Sequence, residues 1–293
     1  MASRTASISS VLLLLLVMPS SSSPVKFDLH GSIYPGGYIY VSMQIGDRMY
    51  NLDVDTGSVL TWLQCHVPNC KERCKTWPQQ HPLYNLKHDK LVPSMDPLCV
   101  ELLQHPGQPG RHVCEYNIGY AEGQSDGLLI RDKFTLPIAR NAQHTIVFGC
   151  GYNQQHFKPG QRLPVDGILG LGRGSAVNLA VQLKKENVIM EDVIRHCISI
   201  KGGGFLFIGD YKRPSGGVEW VTMDRNTKHG HYSPDVLGEL FFKGKQINEK
   251  PMKVVFDSGS TYTYFDRQPY KATENEVECP CVDTGGEDKT RLN

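Results

Sequence analysis

The sequence predicts an all-β fold in two lobes, each lobe supplying one carboxylate to a shared cleft. Three observations lead there. The stretch Tyr50-Asn51-Leu52-Asp53-Val54-Asp55-Thr56-Gly57-Ser58 alternates with period two, placing Tyr50, Leu52 and Val54 on one face of a strand. The stretch Met252-Lys253-Val254-Val255-Phe256-Asp257-Ser258-Gly259-Ser260 repeats that pattern with Met252, Val254 and Phe256. In both, an Asp follows the last core-facing residue and precedes a small hydroxyl residue and Gly, so a carboxylate stands at the end of a buried strand in a turn that Gly closes easily. Finally, 29 Gly and 18 Pro among 293 residues, with few long helical patterns, divide the chain into short strands and turns.

Composition narrows the partners. Hydrophobic residues make up 40% and charged residues 21%, a globular balance. A net charge of +1 with no long basic run argues against nucleic acid or an anionic membrane surface. Residues 1–23 read as a secretory signal peptide: Arg4 is the positive flank, Val11 to Met18 the apolar core, and Pro19 to Ser23 the small-residue cleavage region. That apolar run is too short to span a bilayer, and no later segment is long enough. The nine cysteines suit an oxidising compartment. Cys65, Cys70 and Cys74, near His66 and His81, lack a repeated CxxC pair, so disulfides are expected rather than zinc. The odd count leaves at least one thiol without a partner inside the chain, and no Asn-x-Ser/Thr sequon occurs.

In chain order, Tyr38 to Ile45 alternates cleanly and joins the Asp55 strand through a tight turn near Asp47, forming a hairpin. Residues 65–112, rich in Cys, Pro, His and Lys, read as a disulfide-braced loop region. Glu115 to Tyr120 and Gly127 to Phe134 form a second hairpin about a turn at 121–125, and Thr145 to Phe148 is a short strand. Asp166-Gly167-Ile168-Leu169-Gly170-Leu171-Gly172 has no Lys-Ser/Thr ending, so it reads as a tightly packed strand and not a phosphate loop. Ser175 is expected to cap the one convincing helix, with Ala176, Leu179, Ala180 and Leu183 on its apolar face. Phe205 to Gly209 and Val218 to Met223 read as further strands. The expected division is a first lobe over 24–205, a partial second lobe over 206–270, and a polar tail over 271–293. A third Asp-Thr-Gly, at Asp283, has Pro280 just before it and no apolar strand leading into it, so it is rejected as catalytic.

Two facing carboxylates cannot both ionise easily and would hold one proton between them. The ionised member can take a proton from a bound water while the protonated member donates to a carbonyl oxygen, which is general acid–base hydrolysis without a covalent intermediate. A single Asp-Thr/Ser-Gly is a weak signal. Two of them, each after an alternating apolar strand and 202 residues apart (257 − 55), are a strong one. No Gly-x-Ser-x-Gly elbow or His-Glu-x-x-His competes.

Taken with Thr61-Trp62-Leu63-Gln64-Cys65, Phe148-Gly149-Cys150-Gly151-Tyr152-Asn153-Gln154, Asp166 to Gly172 and Phe256-Asp257-Ser258-Gly259-Ser260, these motifs carry a resemblance. From about Leu29 to Phe265 the chain resembles the pepsin-like aspartic proteases, within them the cysteine-rich plant nucellin-like group. The resemblance implies a bilobal pepsin-like fold, no cofactor and no metal, and protein or peptide substrates bound by a monomer. It makes Asp55 and Asp257 the catalytic pair, supported by Thr56, Gly57, Ser58, Ser258, Gly259 and Ser260. Tyr120 looks like the flap tyrosine that closes over substrate and Trp62 like its hydrogen-bond partner, while Ile168-Leu169-Gly170 looks like the segment beneath the first active-site loop. The signal peptide and the cysteines together point to the secretory pathway, extracellular or vacuolar.

The chain departs from the family in its second half. Ile168 lies 113 residues after Asp55 (168 − 55), whereas only 36 residues follow Asp257, so the second lobe is expected to be incomplete. Ser94 stands where the family pattern continues with Cys, and the segment before the first strand is short for an inhibitory prosegment. An incomplete lobe exposes strand edges and apolar surface. It also keeps open a rival reading on the same fold, a non-catalytic binding protein like the plant xylanase inhibitors.

Overall fold

A computed structural model describes residues 24–276 apart from 71–72, 106–109, 111, 122, 139–140, 156–161, 210–215, 218 and 228–229. The expected signal peptide, Cys279, Cys281 and the third Asp-Thr-Gly lie outside these residues. Among them no helix is long and apolar enough to cross a membrane.

The fold is all-β. Its centre is an 11-stranded sheet: β1 (Val25–Ser32), β2 (Tyr38–Ile45), β3 (Arg48–Asp55), β4 (Trp62–His66), β5 (Tyr84–Asn85), β6 (Glu115–Tyr120), β7 (Gly123–Thr135), β8 (Gln143–Gln155), β9 (Gly167–Gly170), β10 (Ile194–Ile198) and β11 (Gly204–Ile208). The spatial order is β10-β11-β1-β2-β3-β9-β4-β8-β7-β6, with β5 beside β4. The β2–β3 hairpin forms as its alternation predicts: Ile39, Val41, Met43 and Ile45 enter one core with Tyr50, Leu52 and Val54. β9 then slots parallel to β3, pairing Asp55 with Gly170, and antiparallel to β4. The loop after Asp55 is thereby fastened from below, since Leu171 N–H donates to Asp55 O at 2.7 Å and Gly172 N–H to Ser58 O at 2.7 Å. β11 pairs with β1 in this same sheet and crosses the expected lobe boundary at 205/206.

The Cys-rich stretch is a braced loop, as its composition suggests, with a short 3-10 turn at His88–Lys90 and one α-helix among its described residues. α1 (Pro97–Leu103) is capped by Asp96, which accepts from Leu98 N–H at 2.9 Å, and has Pro at its first position, where no N–H is needed. Cys99 of α1 is bonded to Cys114 at the root of β6, and Cys70 to Cys74. Cys65 of β4 reaches Cys150 of β8, 85 residues away. The cysteine cluster is thus used in disulfides, and the free thiol among the described residues is Cys197, on the outer strand β10. Replacing Cys65 and Cys150 together by Ala is expected to lower stability by about 2–5 kcal/mol, because the cross-link closes a long loop in the unfolded chain. Urea unfolding checks this; an unchanged midpoint would show that the cross-link contributes nothing.

Several local expectations are corrected. Helix α2 (Leu179–Lys185) is capped by Asn178, whose side chain accepts from Ala180 and Val181 N–H, and Ser175 and Ala176 precede it. Asn178 wins because its amide also donates to Gly172 O at 2.7 Å, tying the cap to the loop beneath the Asp55 turn. Of the expected strand Val218 to Met223, the described residues 219–223 make no strand: Trp220 and Val221 are exposed and only Met223 bridges, to Pro234. β8 is far longer than Thr145 to Phe148 suggests, because its polar end pairs with the hairpin of β6 and β7. Beyond β11 lie the short pair β12 (Phe241–Phe242) and β13 (Lys245–Gln246), isolated bridges, and α3 (Arg267–Glu276), which runs across the expected start of the polar tail.

The largest correction concerns Met252 to Phe256. This stretch is not a buried strand; it holds single bridges from Met252 to Gly238 and from Phe256 to Tyr232. Alternation supplies an apolar face, but a strand needs neighbours to bury it. Val255 and Phe256 therefore stand 46% and 57% exposed, while Val54 in the equivalent place of β3 is fully buried.

Candidate active site

Asp55 and Asp257 are brought together by a reciprocal set of hydrogen bonds. Thr56 N–H donates to Ser258 Oγ at 3.1 Å and Ser258 N–H donates to Thr56 Oγ1 at 2.9 Å. Each hydroxyl then donates to the backbone just ahead of the opposite aspartate, Thr56 Oγ1 to Phe256 O at 3.2 Å and Ser258 Oγ to Val54 O at 2.6 Å. The pattern needs a hydroxyl directly after each Asp, because a hydroxyl both accepts and donates. It locks the two loops together without a strand behind Asp257.

The carboxylates are held by matching partners. Asp55 accepts from Gly57 N–H at 2.7 Å and from the Ser58 hydroxyl; Asp257 accepts from Gly259 N–H at 2.9 Å and from the Ser260 hydroxyl at 2.9 Å. Each carboxylate also lies over the other loop's glycine. A Cβ on Gly57 would fall 2.6 Å from Asp257 Oδ2, and one on Gly259 would fall 2.7 Å from Asp55 Oδ1. Only glycine permits this approach.

Burial dominates the electrostatics. Asp55 is 6% exposed, and burial pushes its carboxyl from 3.8 up to about 6. The Ser58 hydroxyl pulls the other way, and the Asp257 carboxylate, which also hydrogen-bonds Asp55, raises it again. The pair can therefore keep one proton well above the usual carboxylate range.

Trp62, fully buried, donates its indole N–H to the Tyr120 hydroxyl at 2.7 Å. Tyr120 ends β6 at the tip of the β6–β7 hairpin, and its hydroxyl also makes hydrogen-bonding contact with Ser58. Trp62, Tyr120, Ser58 and Asp55 form one connected line from the core to the carboxyl. Burial pushes the Tyr120 phenol up, so it remains a neutral hydroxyl.

This geometry has relatives. A family profile described as Xylanase inhibitor N-terminal matches residues 38–210. An aspartic proteinase of Oryza sativa subsp. japonica is 46% identical over 287 residues, which cover 95% of this chain and 68% of that protein. Aspartic proteinase 39 of Arabidopsis thaliana is 28% identical over 251 residues, 80% of this chain and 52% of that protein. The chain belongs to the pepsin-like aspartic protease family. It spans about two-thirds of the rice protein's length and about half of the Arabidopsis protein's.

Within this pepsin-like frame, all ten residues singled out from the sequence gather at one place: the two aspartates, Thr56 and Ser258 that bond the loops across the ring, Gly57 and Gly259 that donate to the aspartate of their own loop, Ser58, Ser260, Tyr120 and Trp62. Three further carboxylates escape the sequence reading of the site. Asp53 is half-buried two residues before Asp55 on the same strand face. Burial pushes its carboxyl well up, and Asp55 adds to the effect. Period two could have flagged it. Asp166 is fully buried and accepts from Asn51 N–H at 2.7 Å, His81 N–H at 3.1 Å and the His81 ring at 2.7 Å, fixing the Cys-rich loop to the base of β9. Asp126 gathers four amide donors at the base of the hairpin, which no local pattern reveals.

Proposed function

We propose that the chain is an aspartic endopeptidase of the nucellin-like kind, hydrolysing peptide bonds in proteins with Asp55 and Asp257 as its acid–base pair. The observation that carries this reading is the reciprocal ring that sets each carboxylate over the opposite glycine. A water held between the two carboxylates loses a proton to the ionised one as it attacks the scissile carbonyl carbon. Asp55, holding its proton up to about pH 6, donates to the carbonyl oxygen. The resulting tetrahedral diol collapses as Asp257 passes the proton it took from water to the leaving nitrogen and a diol hydroxyl gives its proton back to Asp55, which restores the starting arrangement. Tyr120, anchored by Trp62, closes over the bound peptide and excludes solvent. The three disulfides among the described residues are compatible with passage through the secretory pathway, and an extracellular or vacuolar site of action completes the reading.

A second reading is a binding protein on the same fold. The matched profile's description favours it, as do the exposed Phe256 and Tyr264, close to Asp257 in the chain. Cleavage of an unfolded protein as a function of pH separates the two. The protease reading predicts activity that is highest in acid and falls as pH rises past about 6, where Asp55 loses its proton. Folding follows the same sign: the raised Asp55 favours the folded chain fully below 3.8, and that contribution is lost as pH rises through about 6. No cleavage at any pH by the folded chain would leave the binding reading standing.

A further inference from the structure

We infer that Asp126 is a positioning residue that sets the angle of the Tyr120 hairpin over the carboxylate pair, a proposal that rests on the protease reading. Along β6 the side chains alternate. Tyr116, Ile118 and Tyr120 turn inward onto the cluster around Trp62, leaving Asn117 and Gly119 on the outer face. The pairing of β7 with β8 is irregular at one point, between Asp126 and Gly127, where β8 carries an extra residue: Asp126 faces Asn153 and Gly127 faces Gly151, with Tyr152 between them. A bulge bends its strand, so β8 bends just where Asp126 faces it, and the hairpin beyond stays paired to the bent strand as far as Gln155. The direction of everything beyond it, from Gly123 to Tyr120, depends on how the bulge is held.

Asp126 holds it from three strands at once. In register it lies between Asn117 of β6 and Asn153 of β8. Its Oδ1 accepts from Asn117 Nδ2 at 2.5 Å and Gln124 Nε2 at 3.0 Å, and its Oδ2 accepts from Asn153 Nδ2 at 2.7 Å and Gln155 Nε2 at 3.3 Å. A carboxylate is acceptor-only and can take all four donors, whereas an amide in its place would turn its own NH2 toward two of them. Hydrogen bonds to an ionised acceptor are the stronger kind, so this carboxylate stiffens a face that has no apolar packing of its own. The same end of β8 is tied to the Cys70–Cys74 loop, with Lys75 N–H donating to Tyr152 O at 3.0 Å and Gln154 N–H donating to Lys75 O at 2.7 Å. Hairpin and β8 therefore meet at one carboxylate, with the disulfide loop bonded to the β8 backbone beside it, three residues along β6 from Tyr120, or about 10 Å.

Hydrogen–deuterium exchange on the full chain, read for peptides covering 115–126, tests the inference in Asp126→Ala and in the near-isosteric Asp126→Asn. Exchange in that hairpin is expected to quicken about tenfold in both variants, while the β1–β3 peptides stay unchanged. Activity supplies a second arm. Asp126→Ala is expected to lower kcat/KM about tenfold in the wild-type chain but less than about twofold in a Tyr120→Phe background, because it acts through that residue. Unchanged hairpin exchange, or fully additive losses in the double variant, would overturn the inference. A folded chain that cleaves nothing would remove the protease reading and with it the activity arm, and the exchange result would still decide whether Asp126 sets the hairpin.

Discussion

Asp55→Asn is expected to cut cleavage of an unfolded protein by about a thousandfold or more, with the fold intact. The amide matches the carboxylate in shape, and its oxygen can still accept from Gly57 N–H or the Ser58 hydroxyl. It cannot exchange a proton, and the proton that burial retains on Asp55 is the one the reaction needs. Asp257→Asn should be as damaging, and the double variant little worse than either, because the two groups act as a unit. Initial rates on a denatured substrate measure the loss, and an unchanged near-ultraviolet circular dichroism spectrum confirms folding. Equal activity of wild type and Asp55→Asn would remove Asp55 from the chemistry.

Gly57→Ala is the second large effect. The added methyl would meet Asp257 Oδ2 at 2.6 Å and the other two carboxyl atoms at 2.7 Å, inside any tolerable contact. Asp257 cannot simply swing away, because the Gly259 N–H and the Ser260 hydroxyl hold it and Ser258 is bonded into the ring. The loops must separate instead. Expected results are a fall of about a hundredfold in kcat/KM from the misplaced carboxylate and about 1–3 kcal/mol of lost stability from overpacking. Gly259→Ala should mirror it, its methyl lying 2.7 Å from Asp55 Oδ1. Kinetics and a denaturant midpoint read both effects. Wild-type kcat/KM in Gly57→Ala would mean that the close approach of the two loops does not matter.

Much of this was legible in local pattern. The β2–β3 hairpin, both Asp-hydroxyl-Gly turns and the packed strand at Gly167 follow from period-two alternation and glycine placement, and each forms. What failed depended on partners distant in the chain. Met252 to Phe256 has the alternation of β3 but only bridges to Tyr232 and Gly238, so its apolar face stays open. The helix start moved from Ser175 to Asn178 because Asn178 also bonds Gly172, a contact that helical periodicity does not encode. Asp126 looks like an ordinary turn residue until β8 supplies Asn153 and Gln155. At the site itself, neighbouring residues announce the chemistry, while the support for it comes from elsewhere in the chain.

The most direct test of the two-carboxylate account is calorimetric binding of a statine-type peptide, a mimic of the tetrahedral intermediate, because it needs no turnover. The folded wild-type chain should bind it in acid, and affinity should weaken about tenfold per pH unit once pH exceeds about 6. Asp257→Asn should abolish that pH dependence together with most of the affinity. Binding that is flat across this range, or equally tight after Asp257→Asn, would contradict the claim that Asp55 and Asp257 share one proton at a working site.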